Sequence, residues 1–284
     1  MDIFKRVIRI VSYVFLTFCL VALIFCGLSS DVVVVVSYDI SSSDVSNPFT
    51  CLVISDYHHR SLNAANGNII DIISKQSDVD AVFFTGDLID THTTSLDDVS
   101  KLFDVANDIS NNHCYFVTGN HEQYAPLLND LMSLIGSKGI TYLHDDSSAP
   151  MNDVTIYGID DARFTLKNDS SFTKREEVIK EEIAKLPARD PSNFSILLVH
   201  RPENFRMIAN DYDFDLVISG HTHGGQIQIG NWVPATIGFD EKAFVSGKYH
   251  IDDSDLIISR GLGYSAMFPL RVNCNPEITK ITIK

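Results

Sequence analysis

Short apolar runs, each four to six residues long, recur along the chain between longer stretches with helical spacing. Five consecutive valines at 32–36 form the first run, and β-branched residues of this kind favour strands. Runs of this length, bounded by glycine and polar residues, predict buried strands. The predicted strands are at 32–36, 51–55, 81–85, 114–118, 154–158, 195–199, 216–219, 226–229, 255–259 and 278–283.

Four stretches between these runs have apolar residues at helical spacing. In the stretch 95–110, Leu96, Val99, Leu102 and Phe103 recur so that they share one face of a helix. The other predicted helices are at 62–76, 125–137 and 174–186. Strands and helices alternate in the first half, and the tail is rich in strands. This order predicts an α/β (α+β) fold with two packed mixed β-sheets flanked by helices, a four-layer αββα sandwich.

Residues 10–30 carry no charge and consist mainly of valine, leucine, isoleucine and phenylalanine. A bilayer core needs about 20 apolar residues as a helix, so the stretch predicts one transmembrane helix. Lys5, Arg6 and Arg9 precede it and Asp31 follows, which places the N-terminus in the cytoplasm. We expect 1–31 to be a cytoplasmic N-terminus with a membrane anchor, and 32–284 a domain on the extracytoplasmic side of the cell membrane. A cleaved signal peptide is the alternative.

The charge balance excludes one class of partner. The 284 residues include 22 Lys and Arg against 37 Asp and Glu, which gives a net charge of -15. Nucleic acids are bound mainly through clustered basic residues, so we expect no nucleic-acid partner. The five cysteines lack the spacing of a disulfide framework or a CxxC motif. Cys51 and Cys114 each begin an apolar run, and we expect both to be small buried residues.

Polar motifs that suit metal binding follow five of the predicted strands, where side chains at strand ends converge on a cleft. The side chains concerned are Asp56, His58, Asp87, Asp90, Asn120, His121, His200, His221 and His223. His221 and His223 form the most specific motif, because two imidazoles two positions apart are flanked by glycines. A mixed nitrogen and oxygen donor set points to zinc, iron or manganese rather than calcium.

Each other motif also has an ordinary structural interpretation. Asp90 could cap a helix or face solvent, Asn120 could be an N-cap, and Glu122 suits a first helical turn. His200 alone could be a structural histidine. Five histidines fit no ligand spacing and are expected at the surface or in loops: His59, His92, His113, His144 and His250. Three arginines near the motifs could contact substrate, but are expected to face solvent: Arg201, Arg260 and Arg271.

In this order the motifs resemble those of the calcineurin-like metallophosphoesterases: Asp-x-His, Gly-Asp-x-x-Asp, Gly-Asn-His-Asp/Glu, a lone His and Gly-His-x-His. The stretches 220–226, 259–263 and 275–278 are similar to the membrane-associated bacterial phosphodiesterase subfamily. The resemblance implies two divalent ions. One would be bound by Asp56, His58, Asp87 and His223, and the other by Asp87, Asn120, His200 and His221. It also implies that His121 protonates the leaving oxygen and that Asp90 orients His121.

The expected activity is metal-dependent hydrolysis of a phosphoester by a membrane-anchored enzyme. A phosphodiester or a lipid-linked or cell-envelope phosphate is the expected substrate, and protein partners are not predicted. Protein Ser/Thr phosphatases continue the second motif with Arg-Gly, but here Thr91 and His92 follow Asp90, which makes a phosphoprotein substrate doubtful. The alternatives are a broad phosphomonoesterase and a non-catalytic metal-binding scaffold.

Overall fold

The computed structural model describes residues 2–29, 31–151, 153–166, 171–228, 233, 244–264 and 270–284. The helices in these residues are α1 Asp2–Ser29, α2 Ile69–Ser74, α3 Asp97–Ser110, α4 Leu128–Ser137, α5 Arg163–Leu166, α6 Phe172–Lys185 and α7 Phe205–Asp211. The strands are β1 Val34–Ile40, β2 Phe49–Ile54, β3 Asn63–Ala64, β4 Gly67–Asn68, β5 Ala81–Phe84, β6 Cys114–Phe116, β7 Thr141–Tyr142, β8 Asp146–Met151, β9 Val154–Gly158, β10 Phe194–Leu198, β11 Leu216–Ser219, β12 Gly247–Ile251, β13 Ser254–Ile258 and β14 Glu277–Ile283.

Two six-stranded mixed sheets contain most of these strands. The first sheet has the order β1-β14-β2-β5-β6-β7, and the second has the order β12-β13-β11-β10-β9-β8. Strands β2, β5, β6 and β7 are parallel, as are β9, β10, β11 and β13. Antiparallel pairs join β14 to β2, β12 to β13 and β8 to β9. The short strands β3 and β4 form a separate hairpin.

Alternation along the central strands builds three apolar layers. In β2, Cys51 and Val53 belong to the buried cluster that also contains Ile196 and Ile218 of the second sheet, so this cluster lies between the sheets. Leu52 and Ile54, which alternate with them, pack in a cluster with residues of α2, α3 and α4. On the second sheet, Leu197 and Val217 pack in a cluster with residues of α6 and α7. The predicted arrangement of two mixed sheets flanked by helices is therefore confirmed.

Two predicted elements differ from the structure. The helix predicted at 62–76 is limited to Ile69–Ser74, because the hairpin β3–β4 occupies 63–68 and Gly67 has a φ of +130°. The side chain of Asn66 also bonds both backbone groups of Val33, which holds this segment against the start of β1. In the strand predicted at 226–229, the described residues give only an isolated bridge between Ile227 and Val272, and residue 229 lies outside them.

The predicted transmembrane helix is not supported. Helix α1 covers the predicted stretch, but among the residues that the structure describes no helix combines the length and the apolar character that crossing a membrane requires. The described side chains of α1 are nevertheless exposed and largely apolar, with Phe4, Phe15 and Phe18 at 72%, 64% and 70% exposure.

Candidate metal centre

The candidate ligands meet at one end of the two sheets. Parallel strands direct their carboxyl ends to the same edge, and the residues after β2, β5, β6, β10 and β11 include all nine candidates. The two edges are in direct contact, since the His200 Nδ1–H donates to the Thr85 carbonyl at 2.7 Å. The backbone N–H of His221 also donates to Asp56 Oδ1 and Oδ2, at 3.1 and 3.0 Å. The sandwich thus brings motifs far apart in sequence into one cleft.

Five of these residues have left-handed backbone conformations, which non-glycine residues seldom adopt. The φ angles are 49° for Asp56, 50° for His58, 54° for Asp87, 69° for His221 and 49° for His223. Such conformations cost roughly 1–3 kcal/mol each and tend to cluster at functional sites. Five such residues at one strand edge therefore indicate a functional site, where the direction of the side chains matters more than the ordinary preference of the backbone.

One group of possible ligands consists of Asp56, His58 and His223, all of them buried. His58 Nε2 lies 3.3 Å from His223 Nε2, which is itself 3.8 Å from Asp56 Oδ1. The Ser55 hydroxyl donates to Asp56 Oδ2 at 2.6 Å and fixes the carboxylate. These three side chains belong to the set that the sequence assigns to the first ion.

A second group consists of Asp87, His200 and His221. Asp87 Oδ2 is 3.0 Å from His200 Nε2, and His221 Nδ1 is 3.2 Å from the same nitrogen. The same Asp87 oxygen lies 4.0 Å from His58 Nε2 in the first group. Asp87 is therefore placed between the two groups, as a bridging carboxylate would be.

Asn120 provides an independent test of whether this donor set suits metal ions. Its Oδ1 atom is buried and has no hydrogen-bond partner among the described residues. A buried carbonyl oxygen without a partner is costly and is the type of atom that a cation can satisfy. The orphaned oxygen and the mixed imidazole and carboxylate donors around it fit a pair of divalent ions.

The pKa shifts of His221 and His223 agree with this interpretation, whereas the pKa values of His58 and His200 are raised and favour the protonated ring. Burial, followed by the charges of Arg201 near His221 and of His58 near His223, holds the pKa of both rings well below the usual value. Burial acts against the charged form of His200 too, but the adjacent Asp87 carboxylate outweighs it and raises the pKa of His200 to about 10. His221 and His223 are thus neutral, and a neutral imidazole is the form that ligates a metal.

The two residues assigned to proton transfer lie beside the metal ligands. The backbone N–H of His121 donates to Asp87 Oδ1 at 2.7 Å, and its ring is 4.8 Å from the His58 ring, edge to face. Asp90 Oδ2 lies 3.5 Å from His58 Nδ1 and 2.8 Å from His59 Nδ1. These contacts suit orientation of His58, and orientation of His121 by Asp90 stays a prediction.

Three further residues shape the site, and the sequence patterns did not single them out for this. Glu122 is fully buried and accepts backbone hydrogen bonds from the loops after β5 and β6. Arg201 and Arg271 are buried, so the expectation that both face solvent is wrong. Arg201 pairs with Asp161 at 2.6 Å and donates to His221 Nε2 at 2.7 Å.

Arg271 is held among backbone carbonyls. It donates to the carbonyl oxygens of Gly263 at 3.0 Å and His223 at 3.2 Å, and also to that of Arg260 at 2.7 Å. An arginine can hold several carbonyls at once, because its guanidinium carries five N–H donors in a fixed plane. This geometry indicates that Arg271 fixes the position of the loop that carries His223, rather than contacting substrate.

Comparison with known proteins gives a consistent result. The family model "Calcineurin-like phosphoesterase" matches residues 49–225. An uncharacterized metallophosphoesterase of Helicobacter pylori is 27% identical over 82% of this chain, which spans only 59% of that relative. Phosphodiesterase YaeI of Escherichia coli is 25% identical, with 84% of both chains covered. A Danio rerio protein named "Transmembrane protein with metallophosphoesterase domain" is 28% identical over 72% of this chain and 46% of its own length.

Proposed function

This chain belongs to the calcineurin-like phosphoesterases, hydrolases that act on phosphoester bonds, and we propose that it cleaves a phosphodiester with a lipid-linked or cell-envelope phosphate. The observation that carries the proposal is the position of Asp87 Oδ2, 3.0 Å from His200 Nε2 and 4.0 Å from His58 Nε2. One carboxylate within reach of two ligand groups is the arrangement that a two-metal site requires.

Two divalent ions would be bound by the residues already described. One set is Asp56, His58, Asp87 and His223, and the other is Asp87, Asn120, His200 and His221. Ions bound there would polarise the phosphoryl oxygens and supply a nucleophile from water near neutral pH. Manganese, zinc and iron all suit these donors.

His121 is the residue that we propose as the proton donor to the leaving oxygen. It is partly exposed and lies beside Asp87 and His58, which places its ring at the open side of the ligand cluster. Burial lowers the pKa of His121, and the Asp87 carboxylate opposes this shift. An anionic substrate brought next to the ring would favour the protonated form further. His121 also lies within ligand distance of His58 and Asp87, and the role that we propose for it is proton transfer rather than metal binding.

The preference for a diester is supported by similarity to a relative named as a phosphodiesterase. The preference for a lipid-linked phosphate rests on a cavity of about 420 Å³ beside the metal centre. His58 lines this cavity together with Tyr57, Tyr264 and Asp31. Asp31 comes two residues after the end of α1, whose described side chains are exposed and apolar. Asp31 therefore connects the cavity, along the chain, to a helix whose described side chains at 4–21 are exposed and largely apolar.

Substrate choice is tested with matched esters. We expect the metal-loaded protein to hydrolyse bis-p-nitrophenyl phosphate faster than p-nitrophenyl phosphate, and a reversed order would favour the broad phosphomonoesterase. Near-stoichiometric metal without hydrolysis of either ester would favour the non-catalytic scaffold.

The lipid element needs its own comparison. We expect the variant Phe15→Ser/Phe18→Ser to lose activity on a phospholipid in vesicles while it keeps activity on a soluble short-chain analogue. Equal loss of activity on both substrates would show that the apolar side chains of α1 do not favour a lipid substrate. The extracytoplasmic position is likewise a proposal, tested by protease access to the domain in intact cells, where a fully protected domain would contradict it.

A further inference from the structure

A second set of possible metal ligands lies beside the centre described above. It consists of His59, Asp90 and His92, which we call the rim cluster. One ligand atom from each lies within 4.8 Å of the other two. His59 Nδ1 is 2.8 Å from Asp90 Oδ2, and His92 Nδ1 is 3.9 Å from Asp90 Oδ1. Neither histidine fits a ligand spacing in the sequence, and the loops after β2 and β5 bring them together.

The rim cluster is open to solvent on one side and rigid on the other. The side chains of His59 and His92 are 52% and 63% exposed, whereas that of Asp90 is 4% exposed. The backbone N–H of His92 and the hydroxyl of Thr93 both donate to Asp90 Oδ1, at 2.8 and 3.3 Å. A cavity of about 370 Å³ adjoins both histidines. An ion bound here would thus have one fixed carboxylate, two adjustable imidazoles and room for water.

The distances suit a late first-row divalent cation. Zinc bonds to nitrogen and oxygen are about 2.0–2.2 Å long, so that neighbouring ligand atoms of a tetrahedral site are roughly 3.4 Å apart. The separations from the Oδ1 atom of Asp90, 3.0 Å to His59 Nδ1 and 3.9 Å to His92 Nδ1, lie on either side of this value. Small rotations of the two exposed rings, whose centroids are 5.6 Å apart, would equalise them. Three protein ligands with an open fourth position form a common zinc geometry.

We propose that the rim cluster is a third divalent-metal site, selective for zinc-like ions and weaker than the buried centre. His59 Nδ1 faces the Asp90 carboxylate, so binding requires the His59 ring to hold its proton on Nε2 and present the Nδ1 lone pair to the ion. Imidazole ligands favour zinc over magnesium or manganese. Because two of its three ligands are exposed to solvent, the site is weak, and its occupancy should change with the concentration of free metal.

The third site has a regulatory consequence through Asp90. Asp90 Oδ2 lies 3.5 Å from Nδ1 of His58, a proposed ligand of the buried centre. Carboxylates that bond the second nitrogen of a metal-bound histidine fix the ring, and their loss typically costs 10–100-fold in metal affinity or activity. An ion in the rim cluster would bind the same fixed carboxylate and weaken its attraction for the His58 ring. Excess zinc would therefore lower turnover by loosening His58.

The test is a metal count on the full chain. Protein loaded with manganese and dialysed against Zn²⁺ should bind one more equivalent in total than the His92→Gln variant. His250→Gln is the matched control, since the His250 side chain is 64% exposed and lies 2.9 Å from Asp255 Oδ1, as His59 lies beside Asp90. This control should bind the same total as the unaltered protein. Equal totals for His92→Gln and the unaltered protein would overturn the proposal.

A kinetic readout complements the count. Without added zinc, His92→Gln should keep its activity, because the bond from His92 to Asp90 that holds the loop comes from the backbone. The zinc concentration that halves activity should rise at least about tenfold in His92→Gln and in His59→Gln, because loss of a residue that supports a metal site typically lowers metal affinity by 10–100-fold. It should not change in His250→Gln. Unchanged zinc inhibition in both rim variants would contradict the regulatory role. The metal count does not depend on hydrolysis, so it stays decisive even if the proposed substrate is wrong.

Discussion

Glu122 Oε2 accepts the backbone N–H of Asp87 at 2.9 Å, so that one buried carboxylate fixes the backbone of the proposed bridging residue. The same oxygen accepts the N–H of Gly119 at 2.8 Å, and Oε1 accepts that of Leu88 at 2.5 Å. Glu122 thereby ties the loop after β5 to the loop after β6. The placement of the two loops that carry Asp87 and Asn120 therefore depends on a residue that bonds their backbone N–H groups.

Replacing Glu122 with Gln should weaken this connection. An amide group cannot accept through both of its heavy atoms, so at least one buried backbone N–H loses its partner at a cost of about 1–3 kcal/mol. We expect the free energy of unfolding of the Glu122→Gln protein, measured in urea, to fall by about that amount, with weaker metal binding. Glu181→Gln, at an exposed position of α6, is the control and should leave both quantities unchanged. Equal stability of the two variants would show that Glu122 does not hold the loops.

The close approach of two loops makes Gly119 sensitive to any side chain. A Cβ atom at Gly119 would lie 2.5 Å from the backbone nitrogen of Asp87, and would also contact its carboxylate. Because the backbone nitrogen cannot rotate away, Gly119→Ala should displace Asp87 and reduce bound metal. Gly136→Ala is the matched control, since a Cβ there meets no atom within 4 Å. This control, inside α4, should gain up to about 1 kcal/mol in stability. Full metal content in Gly119→Ala would contradict the geometry.

Asp87→Ala should remove both metal ions, because Asp87 is the one residue proposed for both ligand sets. We expect metal analysis without added zinc to show less than one ion per chain and the rate to fall by about 10²–10³-fold or more, the scale for loss of a main electrostatic stabiliser. Asp130→Ala alters an exposed carboxylate at the start of α4 and is the control. An active Asp87→Ala enzyme would exclude the two-metal proposal.

His121→Ala should separate metal binding from proton transfer. Both ions should remain bound, because His121 is assigned to neither ligand set. Loss of a general acid typically costs 10²–10⁴-fold, and the cost should be greatest for esters with poor leaving groups. Rates on a series of aryl phosphodiesters of increasing leaving-group pKa give the test. A uniform loss across the series, or loss of metal, would instead assign His121 a ligand role.

Metal affinity should increase with pH because of His200. The Asp87 carboxylate, opposing the effect of burial, raises the pKa of His200 to about 10, so the metal-free protein carries this proton throughout the neutral range. A metal must displace it, and the dissociation constant should therefore fall by up to about tenfold per pH unit until about pH 10. Calorimetry in two buffers of different ionisation enthalpy should detect proton release, and its absence at pH 7 would contradict the assignment.

The raised pKa of His200 also predicts how the stability of the protein responds to pH after a chelator has removed the metal. A raised pKa means that the stabilising contribution of protonated His200 is complete below the unfolded value of about 6.5 and disappears as pH rises through the folded value of about 10. The melting temperature of the metal-free protein should accordingly decrease as the pH rises between these two values. The metal-loaded protein should show a smaller decrease, because the ion replaces the proton.

Local patterns predicted the strands better than the connections between them. The apolar runs at 154–158 and 216–219 coincide with β9 and β11, since a run that is buried on both faces has a clear signal. The stretch 62–76 has helical spacing in part, but a turn at Gly67 and the bonds between Asn66 and Val33 override it. Contacts between residues more than 30 positions apart leave no mark in the local sequence.

The candidate site shows the same division. Motif order predicted which side chains converge, because it depends on strand ends. The contact between Asp90 and His58 and the burial of Arg201 depend on side-chain directions that spacing does not determine. Glu122 stood in a recognised motif, yet a glutamate that begins a helical turn and one that binds four backbone N–H groups have the same sequence signature.

Strand β14 lies between β1 and β2, so Val34 is paired with Glu277 across 243 positions of sequence (277 minus 34). During synthesis on the ribosome, β1 and β2 would emerge early. Their facing edges would stay unpaired until β14 has been synthesised. Unpaired strand edges promote association with other chains, and such long-range pairings form slowly. A nascent chain of this protein is therefore expected to need protection by a chaperone until residues 277–283 have left the ribosome.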